Sequence, residues 1–199
     1  KMITPIAEQI LAHGKAQWLE FCPPTYVSSD ISHLQTVAKE QGGDWVLKPL
    51  AGSYGRDVHY VTSREQQLIG EIMQTRSGSY FALQRFVPAI IHGEVRTLVA
   101  GGKIIGSYRR QPLTGIRANL AAEGHATPVL DQDLDTDLIN KVLADLQRRR
   151  IGYAAIDTVG GYLMEVNLAN PGGLGTLCTI YQSDLGEQVV GAVASQHGL

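Results

Sequence analysis

The stretch from Ala155 to Asn167 constrains this chain most, because two apolar runs meet at Gly160-Gly161 and fold back on each other as a β-hairpin. Three oxygen-bearing residues interrupt the apolar pattern: Asp157, Glu165 and Asn167. Side chains alternate along a strand, so Glu165 and Asn167 share a face. The face of Asp157 depends on the turn. A three-residue loop, Gly160 to Tyr162, sets Asp157 opposite Glu165 and gathers all three oxygens; a two-residue Gly160-Gly161 turn sends Asp157 to the other face. Two carboxylates and an amide oxygen, once gathered, suit hard Mg²⁺, which completes its shell with water and phosphate oxygens. The competing reading is a row of polar residues on the wet side of a hairpin, and spacing alone leaves both open.

The rest of the chain reads as a mixture of helices and strands. Thr4-Pro5 opens a capped helix, Thr25 to Ser28 a short strand, and Asp30 a helix whose apolar face is Ile31, Leu34, Val37 and Ala38, ended by Gly42-Gly43. Asp44 to Pro49 and Asp57 to Val61 read as strands around a glycine-bearing turn. Ser63 with Gln66 gives a capping box for a helix reaching about Arg76. Strands are expected at 81–86, 95–100 and 103–108, the last two antiparallel across a Gly101-Gly102 turn. A long loop from Gln111 to Val129 precedes a helix from about Leu134 to Arg150, with Leu138, Val142 and Leu146 on its apolar stripe. A final helix is expected at about 184–195.

These elements predict an α+β chain in three parts: an N-terminal helical linker over 1–24, and two α+β subdomains over 25–79 and 80–199. With 199 residues and 44% hydrophobic content, the chain can bury one sizeable core or two small ones. Its formal net charge is −2, with 17 basic and 19 acidic residues scattered along it, so no basic face exists for a nucleic acid. Cys22 and Cys178 stand far apart without a CxxC pair, which fits two free thiols in a reducing compartment. Neither a membrane span nor a signal peptide is legible, and a cytoplasmic protein is expected.

Two more stretches carry chemistry. Lys48 leaves an apolar strand just before Gly52-Ser53-Tyr54-Gly55, so its ammonium and nearby backbone amides can approach one phosphate; the order of a Walker A loop is absent. Arg96, Arg109, Arg110 and Arg117 form a cationic set able to hold an acid beside a phosphoryl group. Each alone also reads as a solvated arginine pairing with Glu94 or Glu123.

Taken in order, five segments resemble the bacterial glutathione synthetase family of the ATP-grasp superfamily: Val46 to Leu50 with its glycine turn, Ala82 to Ile90, Gly93 to Arg96, Arg117 to Ala122, and Asp157 to Asn167. The resemblance spans nearly the whole chain. It implies the ATP-grasp fold, in which two α+β subdomains grip ATP between them. It also implies that Lys48 contacts the ATP phosphates, that Gly52, Ser53 and Gly55 form a flap over them, and that Lys15 is a further nucleotide contact. Gln84, Arg85, Phe86 and Val87 become a hinge whose backbone pairs with the adenine edge. Asp157, Glu165 and Asn167 become ligands of two Mg²⁺ ions, or of Mn²⁺ in their place. Arg96 and Arg110 become catalytic residues that, with Arg117 and Asn119, line the acceptor side.

The implied activity is an ATP-dependent carboxylate–amine ligation of the kind used in glutathione biosynthesis. A small-molecule acid attacks the γ-phosphoryl group, and an amine then displaces phosphate from the acylphosphate. The alternatives are an ATP-binding module that does not ligate and a ligase for a different peptide-like acid. Three departures from the family pattern stand out. A preceding domain that helps bind the acid and shape the dimer has no counterpart here, leaving a homo-oligomer or a missing N-terminal domain as the expected arrangement. The run after Asn167 is Leu168-Ala169-Asn170-Pro171-Gly172-Gly173 where the family has a Thr-Ser-Pro-Thr type run near the amine site, and Ala51 to Gly55 is less glycine-rich than the usual flap.

Overall fold

A computed structural model of the protein describes residues 15–50, 57–111, 125–130, 133–168 and 170–199, with side chains from residue 18 onward. The helix expected at Thr4, the side chain of Lys15, the Gly52 to Gly55 turn, and Arg117 with Asn119 lie outside the described residues. Two compact units make up the chain, Lys1–Val87 and Pro88–Leu199.

In the first unit a 3₁₀ segment, Lys15–Phe21, leads into β1 (Thr25–Ser28), α1 (Ile31–Gln41), β2 (Trp45–Pro49), β3 (His59–Val61), α2 (Leu68–Gln74) and β4 (Phe81–Arg85). The four strands form one sheet in the order β1-β4-β2-β3, antiparallel at every pairing. Helix α1 begins where the sequence predicts, because the Asp30 carboxylate accepts the amides of Ser32 at 2.8 Å and His33 at 3.3 Å. It stops at Gly42, whose φ of 58° lies in the left-handed region. Leu34, Val37 and Ala38 face the sheet and pack with Ile69 and Met73 of α2 against Trp45, Leu47, Phe81 and Leu83. Since strand side chains alternate, Val46, Lys48, Ala82 and Gln84 occupy the face turned away from both helices.

Two expectations fail here for identifiable reasons. The Ser63–Gln66 capping box does not form, and α2 starts at Leu68: the Ser63 amide goes to Asp44, and the Gln66 side chain reaches the Ala38 carbonyl of α1. Strand β4, which the sequence groups with the second subdomain, completes the first sheet by pairing with β1 on one side and β2 on the other.

The second unit opens with a 3₁₀ turn, Pro88–His92, and continues through β5 (Glu94–Ala100), β6 (Lys103–Gln111), β7 (His125–Pro128), α3 (Thr136–Arg148), β8 (Tyr153–Val159), β9 (Tyr162–Asn167), α4 (Leu174–Tyr181) and α5 (Gly186–His197). Its sheet runs β7-β6-β5-β8-β9, again antiparallel throughout. Helix α3 carries the expected stripe, Leu138, Ile139, Val142, Leu143 and Leu146, all buried. Leu177 of α4 packs with Leu98, Tyr108 and Ala155. Two elements have little sequence signal. β7 is a four-residue edge strand ending in Pro128, inside what reads as a loop. α4 spans eight residues and has no side-chain N-cap, following Gly173 at φ 118°. Among the described residues no helix is long and apolar enough to cross a membrane.

Helix α5 sits tightly on the β5–β6 turn, where Gly101 has φ 53° and an added Cβ would overlap the Ala192 carbonyl. Gly101→Ala is therefore expected to cost about 2–4 kcal/mol of unfolding free energy in urea. Gly78→Ala, at φ 79° with nothing near its Cβ, is expected to cost only about 1 kcal/mol. Equal losses would show that the α5 contact contributes nothing.

Candidate functional site

The hairpin of β8 and β9 answers the question of register in a way neither turn length alone predicts. Its turn is the two-residue one: Gly160 at φ 54° and Gly161 at φ 81° connect Val159 directly to its partner Tyr162. Thr158 pairs with Leu163, and then the register shifts so that Asp157 stands opposite Glu165, with Met164 as the extra residue. That β-bulge sets two residues against one and reverses the parity of the strand. Asp157 and Glu165 thus share a face, and Asn167, two residues on, shares it too.

The same face continues across the sheet. Arg96 of β5 is the register partner of Asp157, and Tyr108 of β6 is the partner of Arg96. Asp157 is fully buried and takes a bidentate contact from Arg96, Nε to Oδ1 and Nη2 to Oδ2, each at 2.7 Å. Arg110 Nη2 adds a third bond to Oδ2 at 3.0 Å, and Asn167 Nδ2 a fourth at 3.2 Å. Arg110 also pairs with Glu94, its register partner. The third donor of Arg96, Nη1, reaches the Gly172 carbonyl at 3.0 Å, which ties the segment before α4 to the sheet. Gly173 follows, and a Cβ there would overlap the Tyr108 hydroxyl, which lies beside Arg96 and Thr176. Burial opposes the charge of Arg96, yet the hydrogen bonds and charge of Asp157 outweigh it and raise its pKa. Burial likewise pushes the Tyr108 phenol up.

Arg109 stands apart. Adjacent strand residues face opposite ways, so with Arg110 turned to Asp157, Arg109 points to the other face and donates to the His92 carbonyl at 3.3 Å. The arginine–Glu94 pair that a sequence reader places in solvent is nearly buried, with side-chain exposures of 9% and 15%. Tyr108 and the Gly172 carbonyl give no sequence signal, because a tyrosine in an apolar strand and a backbone oxygen look the same with or without such a role.

In the first unit, Lys48 Nζ donates to Gln84 Oε1 at 3.0 Å. Gln84, only 4% exposed, donates through Nε2 to Thr25 Oγ1 at 2.9 Å, and Thr25 donates to the Pro23 carbonyl at 2.7 Å. This relay across β1, β4 and β2 fixes where the lysine stands. The backbone of Gln84 lies within the paired part of β4, between Thr25 and Val46. Just beyond it, Arg85 N donates to the Pro24 carbonyl at 2.8 Å and Phe86 N to the Asp44 carbonyl at 3.0 Å. The Arg85 guanidinium lies 3.9 Å over the Trp45 ring and caps α1 through the carbonyls of Gln41 and Gly42.

The oxygen set on β8 and β9 fits a divalent cation by its chemistry: two carboxylates and an amide, on one face and within two rows of the sheet. Among the described residues no three His, Cys, Asp or Glu side chains gather as a metal cage. An ion here would draw on Asp157, Glu165 and the Asn167 amide oxygen, with further oxygens from beyond the described residues.

Known structures share this architecture. D-cycloserine synthetase superposes on 95% of the chain and 69% of its own, with TM-score 0.67 and 17% identity. The ATP-grasp ligase PsnB, solved with minimal precursor, Mg and ADP, covers 97% of the chain and 62% of its own at TM-score 0.67 and 12% identity. D-alanine–D-alanine ligase from Bacillus anthracis covers 96% and 66% at TM-score 0.59 and 16% identity. The fold is that of the ATP-grasp proteins. Residues 13–182 match the family of the prokaryotic glutathione synthetase ATP-grasp domain, and the chain belongs to that family. Glutathione synthetase of Neisseria meningitidis serogroup B is 31% identical over 180 residues, and that of Parasynechococcus marenigrum 29% over 180. These alignments span 88% and 89% of the chain but only 56% and 58% of the relatives.

Removing Asp157 leaves two guanidinium groups with little solvent around them. Asp157→Ala is expected to lower the unfolding free energy by about 3–5 kcal/mol, as breaking a buried ion pair does. Glu165→Ala, on an exposed side chain, is expected to change it by about 0.5 kcal/mol or less. Denaturant titration of both variants checks the contrast.

Proposed function

We propose that this chain provides the nucleotide-binding and ligating part of an ATP-dependent carboxylate–amine ligase of the glutathione synthetase type. What supports this most is the bulged hairpin, whose register sets Asp157, Glu165 and Asn167 on one face in a chain of that family. In this reading Lys48, steadied by Gln84, binds the ATP phosphates, and the backbone after β4 binds the base. The amides of Arg85 and Phe86 already donate to Pro24 and Asp44. The Val87 amide is therefore the donor that this segment offers to an adenine ring nitrogen.

Asp157, Glu165 and Asn167 would hold two Mg²⁺ ions, which when bound neutralise charge on the transferring phosphoryl group. Arg96 and Arg110 hold the Asp157 carboxylate in place. Arg110 also stands on the acceptor side by the family resemblance; its Nε is buried and has no hydrogen-bond partner among the described residues. By the family resemblance, Arg117 and Asn119 join it on the acceptor side. The acid is phosphorylated at its carboxylate, with ADP leaving. The amine then attacks the acyl carbon, and phosphate departs as the arginines stabilise the oxyanion.

The identity of the acceptor is a narrower matter. The segment after Asn167 carries Asn170-Pro171-Gly172-Gly173, and Arg96 holds its backbone at Gly172. That departure favours a ligase for another peptide-like acid or amine as the second reading.

ADP formation, followed with Mg²⁺ and γ-glutamylcysteine plus glycine and then across a panel of acids and amines, tests the assignment. Stimulation by one acid and amine pair is expected, and chelation of the metal should abolish it. ATP binding that no pair converts to turnover would leave a nucleotide-binding module and remove the ligase. Glu165→Ala is expected to lower turnover by about 10²-fold or more with little change in folding; near-normal turnover would remove the metal assignment.

A further inference from the structure

Asp44 and Tyr60 form a strut in the first unit to which the ligation reading gives no work. Tyr60 sits in the three-residue edge strand β3 and is 38% exposed. A tyrosine there would ordinarily extend into water. Instead its ring packs edge-on against Phe86, with centroids 4.8 Å apart at 67°. Its hydroxyl donates to Asp44 Oδ2 at 2.5 Å. Asp44 accepts the Ser63 amide on its other oxygen at 2.9 Å, and its own backbone carbonyl accepts the Phe86 amide at 3.0 Å. Phe86 is thus gripped twice by one unit, at its amide by Asp44 and at its ring by the tyrosine that Asp44 anchors. The Tyr60 hydroxyl and the Ser63 amide hold the Asp44 carboxyl below its ordinary range, and the bond to Asp44 raises the Tyr60 phenol. Both shifts mark a charge-assisted bond that persists across neutral pH.

We propose that Tyr60 and Asp44 are positioning residues for nucleobase selection: they fix Phe86 so that the adjoining Val87 amide meets an adenine acceptor at a productive angle. The inference rests on the reading of 84–87 as the base-binding segment. Its physical basis is the angular sensitivity of hydrogen bonds, which weaken steeply as the donor swings away from the acceptor. A guanine offers an N–H where adenine offers a lone pair, so it gains nothing from a well-aimed Val87 amide and loses nothing when the aim is lost. Phosphate binding by Lys48 uses a different relay, through Gln84 and Thr25, and should not respond.

The test measures Kd for ATP and for GTP in the wild-type chain and in Tyr60→Phe, Tyr60→Ala and Asp44→Asn, with a thermal melt for each. Wild type is expected to prefer ATP. Tyr60→Phe, which keeps the ring, should weaken ATP about 3-fold, and Tyr60→Ala about 10-fold, the scale of one and of several modest contacts. GTP affinity should stay unchanged in all variants, so the preference narrows through ATP alone. Parallel weakening of both nucleotides would make the strut a general brace and overturn the proposal, as would unchanged ATP affinity. A wild-type chain without preference between the two would remove the base-binding reading itself, and the proposal with it.

Discussion

A carboxylate with no exposure to water must be matched by positive charge, and in the second unit Asp157 meets that requirement with two arginines from neighbouring strands. Arg96 comes from the adjacent strand at the same register, and Arg110 from the strand beyond it. Any slip of β5 against β8 would strand a buried charge at a cost of several kcal/mol, so this one anion fixes the alignment of three strands. The third donor of Arg96 carries the constraint out of the sheet to the Gly172 carbonyl, and Gly173 is left only enough room for a hydrogen beside Tyr108. The start of α4 is therefore anchored to the same carboxylate as the strands.

The first unit buries a neutral polar group, the Gln84 amide, and satisfies it through Lys48 and Thr25. Its sheet buries aromatic and aliphatic side chains under two helices and turns Lys48 and Gln84 to the opposite face. An amide between a lysine and a threonine satisfies both its ends, which is why Gln84 tolerates near-complete burial. The chain leaving β4 is pinned at two consecutive amides, those of Arg85 and Phe86, by the carbonyls of Pro24 and Asp44.

Much of this was legible in the sequence, and the reasons for success and failure are physical. Helix α1 was readable because Asp30, the apolar spacing and Gly42 all act within a few residues of each other. α3 was readable because a wide apolar stripe has one periodicity. The start of α2 was misread because Ser63 and Gln66 have partners at Asp44 and Ala38, far away in sequence. β4 was grouped with the wrong unit because a buried strand looks the same whichever sheet receives it. At the site, the residue types on the hairpin were legible, but the engagement of Asp157 by Arg96 and Arg110 was not, since pairing across strands cannot be counted along one strand. Arg110 was preferred to its neighbour Arg109 on the family resemblance alone; the alternation that turns Arg110 to Asp157 and Arg109 to the other face is visible only in the paired strands.

The bulge at Met164 has a consequence for how this hairpin can change over time. A tight turn with one extra residue in the strand and a looser turn with none are two solutions of the same parity equation, and each leaves the acidic pair side by side. A change of length is tolerated where the turn or the bulge absorbs it: a residue added at the tip only lengthens the turn, and loss of Met164 leaves the two-residue turn with Asp157 still opposite Glu165.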